Sequence, residues 1–177
     1  IIGKDDVGKG VIRAKEKSVI AGLSVAETVF DKIDKNLDFE YLIEDGEGVE
    51  EGTEIAEVSG KVRSILKGER LALNFLQRMS GIATKTNIYV EQVKDYDVRV
   101  VDTRKTTPNL RILEKWAVRL GGAHNHRMGL YDAVLIKDNH IKSAGGITEA
   151  INKVKNNIPH TVKIEVEAED LKGVKKA

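Results

Sequence analysis

Val98-Arg99-Val100-Val101-Asp102-Thr103-Arg104-Lys105-Thr106-Thr107-Pro108 decides how the rest of the chain is read. Residues 98–101 carry the β-branched run of a strand. Thr107 followed by Pro108 predicts a helix start, a capping hydroxyl ahead of a residue whose fixed φ suits the first turn. Leu110, Leu113, Trp116, Ala117 and Leu120 then line one helical face, and Gly121 stops the run. The alternation repeats downstream. Residues 133–136 read as a strand, 147–157 as a helix burying Ile151, Val154 and Ile158, and 162–166 as a third strand. Strand, helix, strand, helix, strand is the order of a parallel sheet with right-handed crossovers.

Upstream the grammar differs. Val11 and Ile12 open one strand-like stretch, and Val19, Ile20 and Ala21 form another. Ser24 with Glu27 three residues on predicts a capping box for a helix whose apolar edge is Val25, Val29 and Ile33. Two further strands are expected over 39–43 and 54–58, set apart by the turn residues Gly46, Gly48 and Gly52, with Gly60 punctuating the next turn. Short strands so close in sequence suit antiparallel pairing in a small α+β domain. A helix follows over 69–79, with Leu71, Phe75 and Met79 in register. Ser80 and Gly81 are expected to interrupt it, and a second helix runs over 83–93 with Ile88, Tyr89 and Val93. This break marks the expected boundary between domains 1–80 and 81–177.

Length limits the second domain. The chain has 177 residues, and a closed (β/α) barrel needs about 200 or more. Three parallel strands cannot close one, so either the sheet is small and open or a barrel has been cut; the cut barrel is the expectation. A first residue that is Ile1, and a last that falls just after a strand-like segment, point the same way. Lys and Arg number 29 against 28 Asp and Glu, a net charge of +1, which argues against a general nucleic-acid binder. Hydrophobic residues make up 41%, enough for a core. No apolar run approaches the roughly 20 residues of a membrane span. The absence of cysteine excludes disulfides and thiol catalysis and is compatible with a reducing, cytoplasmic setting.

Ligands of parallel α/β sheets sit at the carboxyl ends of strands. Arg104 and Lys105 stand at such an end, just before a helix, so an anion is one natural guest and a solvated basic turn the other reading. Lys137 follows the 133–136 strand in the same way. His124 and His126 lie in a loop that returns from a helix, and a zinc site there would lack a third ligand. In Val162-Lys163-Ile164-Glu165-Val166-Glu167, charges share one face of a strand. A helix-covered parallel strand is apolar on both faces. The pattern therefore points to a polar barrel interior or an exposed antiparallel strand, and the neighbouring elements favour the former.

Taken together, Glu69-Arg70 through Ser80-Gly81-Ile82-Ala83-Thr84, Asp102-Thr103-Arg104-Lys105-Thr106, Gly121-Gly122 through Asn125-His126-Arg127, Leu135-Ile136-Lys137-Asp138-Asn139-His140 and Glu165-Val166-Glu167 resemble the quinolinate phosphoribosyltransferase family in order and spacing. Ala21-Gly22-Leu23 extends the resemblance over nearly the whole chain. It implies an N-terminal open α/β sandwich followed by the first part of an α/β, TIM-like barrel, in a homodimer or higher homo-oligomer. It implies, too, transfer of phosphoribose from phosphoribosyl pyrophosphate to quinolinate with decarboxylation, giving nicotinate mononucleotide, pyrophosphate and CO2 for NAD biosynthesis. Mg2+ would accompany the pyrophosphate. By the same resemblance Arg104, Lys105, His126, Arg127 and Lys137 are substrate-site residues, with Lys105 and Lys137 also catalytic. Arg70 would be donated across the dimer, and Glu167 would be the acidic residue near the ribose and metal. The family's later strands, a further acidic residue, a glycine-rich phosphate loop and an N-terminal helix with its arginine have no counterpart in this sequence, so a piece of this length is expected to be inactive alone.

Three rival readings remain. A molybdenum-transport-associated relative would share the architecture and take another acceptor. A Schiff-base aldolase would use Lys137. Residues 44–62, rich in glycine turns and ending Ser59-Gly60-Lys61-Val62, look like half of a lipoyl- or biotinyl-carrier hammerhead, with Lys61 as the attachment point.

Overall fold

Alternation sets the first sheet. In β1 (Val7–Arg13) Gly8, Gly10 and Ile12 turn inward while the residues between them face water. β1 pairs antiparallel with β5 (Glu54–Lys61), which pairs on its other side, again antiparallel, with β3 (Asp38–Tyr41). β5 is therefore the central strand, and its Ile55, Ala56 and Val58 are buried. A two-residue ribbon joins β2 (Ser18–Val19) to β4 (Gly48–Val49). The small antiparallel α+β expectation for this region agrees with these pairings. Residues 1–177 are all described by this computed structural model.

α1 (Leu23–Ile33) buries Leu23, Ala26, Val29 and Phe30. It begins one residue before Ser24, and no Ser24–Glu27 capping box forms. The cap comes from far along the chain: one Asp45 carboxylate oxygen accepts from Gly22 N at 2.8 Å and Leu23 N at 3.1 Å. Glu27 instead accepts a hydrogen bond from the Tyr41 hydroxyl. Gly22 holds φ at 103°, a left-handed conformation that a side chain would strain.

The expected break at Ser80-Gly81 is absent. α2 (Val62–Val93) is one helix of 32 residues. Ser80 and Thr84, one turn apart, face the edge of the β2 segment. Their hydroxyls accept from Ala21 N at 3.0 Å and Val19 N at 2.8 Å. Those contacts, with Met79 and Ala83 fully buried, outweigh the roughly 1 kcal/mol that glycine costs inside a helix. Lys61 lies where β5 runs into α2, not at a hairpin tip, so the carrier-like attachment site is not formed.

The 98–101 strand is reduced to a parallel bridge between Val101 and His124. His124 N donates to Val100 O at 3.0 Å and Asp102 N to His124 O at 3.1 Å. α3 (Arg111–Leu120) starts later than Thr107-Pro108 predicts. Residues 107–110 instead form a turn in which Leu110 N donates to Thr107 O at 3.1 Å and Asn109 takes φ 64°. At its far end α3 comes against α2 through Gly121; a Cβ there would lie 2.4 Å from Ala83 O.

By backbone contacts the chain groups into Ile1–His126 and Arg127–Ala177. In the second unit β6 (Val134–Ile136) and β7 (Ile164–Val166) pair parallel, as expected for 133–136 and 162–166. α4 (Asp138–Ala144), which the sequence did not reveal, and α5 (Ile147–Lys155) lie between them in the chain, and α6 (Leu171–Lys176) follows. Ile136, Ala150 and Ile151 form the core here. Lys163, Glu165 and Glu167 are exposed, with Ile164 and Val166 half-buried between them. These strands do not close a barrel. No helix is long and apolar enough to cross a membrane.

Candidate functional site

In the Ile1–His126 unit, the site begins where the 100–102 segment ends. Asp102 is the hub. Its carboxylate takes Lys115 Nζ, Asn125 Nδ2 at 2.6 Å and the backbone N–H of His126 at 2.9 Å. Sequence position 126 is thereby brought beside position 102, two residues before Arg104. The Arg104 side chain is half-buried, and its Nε is buried with no hydrogen-bond partner. A guanidinium N–H in that state is costly unless a ligand completes it. Lys105 next to it is exposed, its backbone N held by Thr103 Oγ1 at 3.1 Å. A cavity of about 170 Å3 lies against this loop, lined by Asp102, Thr103, Lys105, Thr106, Glu114 and Lys115. Arg70 is exposed on α2, as a solvent-facing charge.

In the Arg127–Ala177 unit, Arg127 is half-buried at its start. Lys137 stands directly after β6 and Glu167 directly after β7, and parallel pairing puts the two strand ends side by side. Lys137 Nζ lies 3.3 Å from a Glu167 carboxylate oxygen, with both side chains about half exposed. Lys137 N donates to His140 Nδ1 at 2.9 Å, which anchors the turn into α4. Glu167 N donates to Ile136 O at 2.9 Å, fixing the backbone on the other side. A cavity of about 630 Å3 beside this pair is lined by residues of both signs, among them Asp138, Lys142, Glu167, Glu169 and Lys172. No cluster of three His, Asp or Glu side chains converges on a common point, for His124 and His126 or elsewhere. Glu167, paired with Lys137, shares that cavity with Asp138, Glu169 and Asp170, and a Mg2+ ion held mostly by phosphate oxygens and water would need only one or two such carboxylates.

Sequence reading missed Arg78, Glu114 and Lys115. Glu114 and Lys115 are the buried charges of the chain, at 9% and 1% exposure. One signal was available: Glu114 falls four residues after Leu110 and three before Ala117, on the apolar face of α3. Burial pushes its carboxyl up. Hydrogen bonds from Arg78 and Thr107, and the Arg78 charge, pull it down further, so the net direction is downward.

Two sequence-family descriptions cover this chain: "Quinolinate phosphoribosyl transferase, N-terminal domain" over residues 1–80 and "Quinolinate phosphoribosyl transferase, C-terminal domain" over 82–177. The chain belongs to the quinolinate phosphoribosyltransferase family. A Synechocystis protein named "Probable nicotinate-nucleotide pyrophosphorylase [carboxylating]" is 51% identical over 164 residues, 93% of this chain and 56% of the relative. A Bacillus subtilis protein of the same name is 45% identical over 166 residues, 94% of this chain and 57% of its own. The solved structure of NadC from Streptococcus pyogenes superposes with a TM-score of 0.96 at 44% identity, covering all of this chain and 64% of the other. The chain thus spans 56% to 64% of the length of the relatives named here. These matches favour that family over a molybdenum-transport relative or a carrier module.

Proposed function

We propose that this protein contributes to phosphoribosyl transfer from phosphoribosyl pyrophosphate to quinolinate, with decarboxylation, in NAD biosynthesis. The observation that carries the reading is the buried Arg104 Nε that lacks an internal partner, beside the exposed Lys105, in a chain of this family. Planar guanidinium matches a carboxylate through two parallel hydrogen bonds. In this reading Arg104, Lys105, His126, Arg127 and Lys137 bind the anionic groups of the two substrates, with Lys105 and Lys137 next to the reacting atoms. Arg70 is donated to the active site of a second copy in a homodimer. Residues 1–80 act as an open sandwich domain, and 81–177 as the first part of an incomplete α/β barrel.

The chemistry accounts for such a set. The pyridine nitrogen attacks the ribose anomeric carbon as the bond to pyrophosphate breaks and its electron pair leaves with the pyrophosphate. Positive charge builds at the ribose, where the Glu167 carboxylate would steady it, and negative charge builds on the leaving group, where lysine and arginine would. Mg2+, with Glu167 as its one protein carboxylate, would add charge neutralisation at the pyrophosphate. The ring nitrogen is then cationic. The bond to the adjacent carboxylate breaks, its electron pair stays on the ring carbon beside the cationic nitrogen that stabilises it, CO2 departs and that carbon takes a proton.

Calorimetric titration tests this reading. Quinolinate should bind, nicotinate should bind at least about tenfold more weakly for want of its second carboxylate, and Arg104→Gln should weaken quinolinate by a similar factor. Equal affinity for the two acids, or indifference to Arg104→Gln, overturns it.

A further inference from the structure

Glu114 and Lys115 are adjacent, opposite in charge and buried, and neither belongs to the proposed anion-binding set. A buried charge is tolerated only when it is fully partnered. Their partners are at opposite ends of one loop. Lys115 Nζ holds Asp102, while Asn125 Nδ2 ties the same carboxylate to Lys115 O at 2.8 Å. Glu114 reaches residue 107: its Oε2 accepts from Thr107 N at 3.1 Å. Its Oε1 accepts from Arg78 Nε at 3.0 Å and from Arg78 Nη2, which also donates to the Thr107 hydroxyl. One turn earlier on α3, Arg111 holds the middle of the loop, with Nε on Thr106 Oγ1 at 3.0 Å and Nη2 on Arg104 O at 3.2 Å.

The geometry points to Glu114 and Lys115 as positioning residues that clamp both ends of residues 102–107, so that Arg104 and Lys105 meet an incoming anion in a fixed frame. The inference rests on the anion-site reading above and adds to it the source of the site's rigidity. A six-residue loop anchored at both ends and in the middle has lost its conformational entropy at folding, so less is lost when the ligand arrives. The backbone of Arg104 is held and its buried Nε is not, which is the division of labour that a preformed anion site requires.

Amide hydrogen exchange and quinolinate titration on the same protein test this. In Glu114→Gln, exchange of the 105–107 amides should rise at least about tenfold, because a charge-assisted anchor is lost, while the β1-β5-β3 sheet exchanges as before. The quinolinate dissociation constant should rise by a comparable factor, measured on protein whose sheet exchange shows it folded; a merely structural role would leave that affinity unchanged. Arg78→Gln removes, from a half-exposed side chain, the guanidinium that joins Glu114 to the Thr107 hydroxyl, and serves if Glu114→Gln does not fold. It should loosen residues 105–107 alone. Unchanged exchange in the loop overturns the inference, as does unchanged quinolinate affinity in a loosened variant. Loosening of the loop in a protein whose parent form never binds quinolinate supports the clamp and sinks the proposed function instead.

Discussion

In the Ile1–His126 unit a lysine ammonium meets a carboxylate away from water: the Lys115 side chain is 1% exposed and that of Asp102 8%. In the Arg127–Ala177 unit the same two chemical groups meet in the open, Lys137 and Glu167 at 48% and 51% exposure. The surroundings differ as the pairs do. The first unit has two apolar clusters, one including Leu23, Phe30, Ile55 and Leu76 and another in which Val19, Met79 and Ala83 meet Ala117 of α3, whereas Ile136, Ala150 and Ile151 are the buried apolar residues of the second. Within the buried pair, each Asp102 oxygen has a further donor, from Asn125 or the His126 backbone. Desolvation there is offset by the ion pair and by the two further donors to the carboxylate, and removing one member strands the other. The exposed pair gains little from its contact, so its members can leave each other for a ligand at little cost. A salt bridge tells its role through its burial.

Lys115→Met should therefore destabilise the protein by about 3–5 kcal/mol, through an uncompensated Asp102 charge. Lys137→Met should stay within about 0.5 kcal/mol of the parent. Urea unfolding of the two variants decides it; similar costs would erase the contrast. Adding Asp102→Asn to Lys115→Met sharpens the test, since it removes the stranded charge. At least about 1 kcal/mol of the loss should return, whereas additive losses would mean that the lysine acts by packing alone.

Acid provides the gentlest probe. Glu114, held by Arg78 and Thr107 below its ordinary value of 4.5, is more acidic folded than unfolded. Its ionised form therefore contributes stability that is fully present above the unfolded value and is lost as pH falls through the lowered folded one. The stability gap between the parent protein and Glu114→Gln should be constant near neutrality and shrink below about pH 4. Lys137→Met should show no such convergence with its parent in that range. A gap that stays flat into acid would show that the Glu114 charge is not what holds Thr107.

Much of the architecture was legible because it rests on local periodicity. The antiparallel sheet around β5, the parallel β6–β7 pair and the apolar face of α3 all follow from apolar residues two, three or four apart. The failures have one physical source. Ser24 and Glu27 have the spacing of a capping box, yet Asp45 supplies the cap from 22 residues away. Ser80 and Gly81 look like a break, yet hydroxyl contacts to residues 59 and 65 positions upstream keep the helix whole. Local preference was real in each case and was overridden by a distant partner. The paired strand ends were readable as well. Lys137 follows one strand and Glu167 the next parallel one, so pairing alone makes them neighbours.

From the sequence alone came the family resemblance, carried by its motifs, together with the cationic residues and the alternation of strands and helices that carries them. Folding then sorted those charges. It buried Lys115 and Glu114, left Lys105 and Lys137 open to solvent, and gave the Arg104 backbone a partner while leaving its Nε without one. The reason is dielectric and non-local: a charged side chain looks the same in any sequence, and what it does depends on how much water it loses and on which far-off group replaces that water.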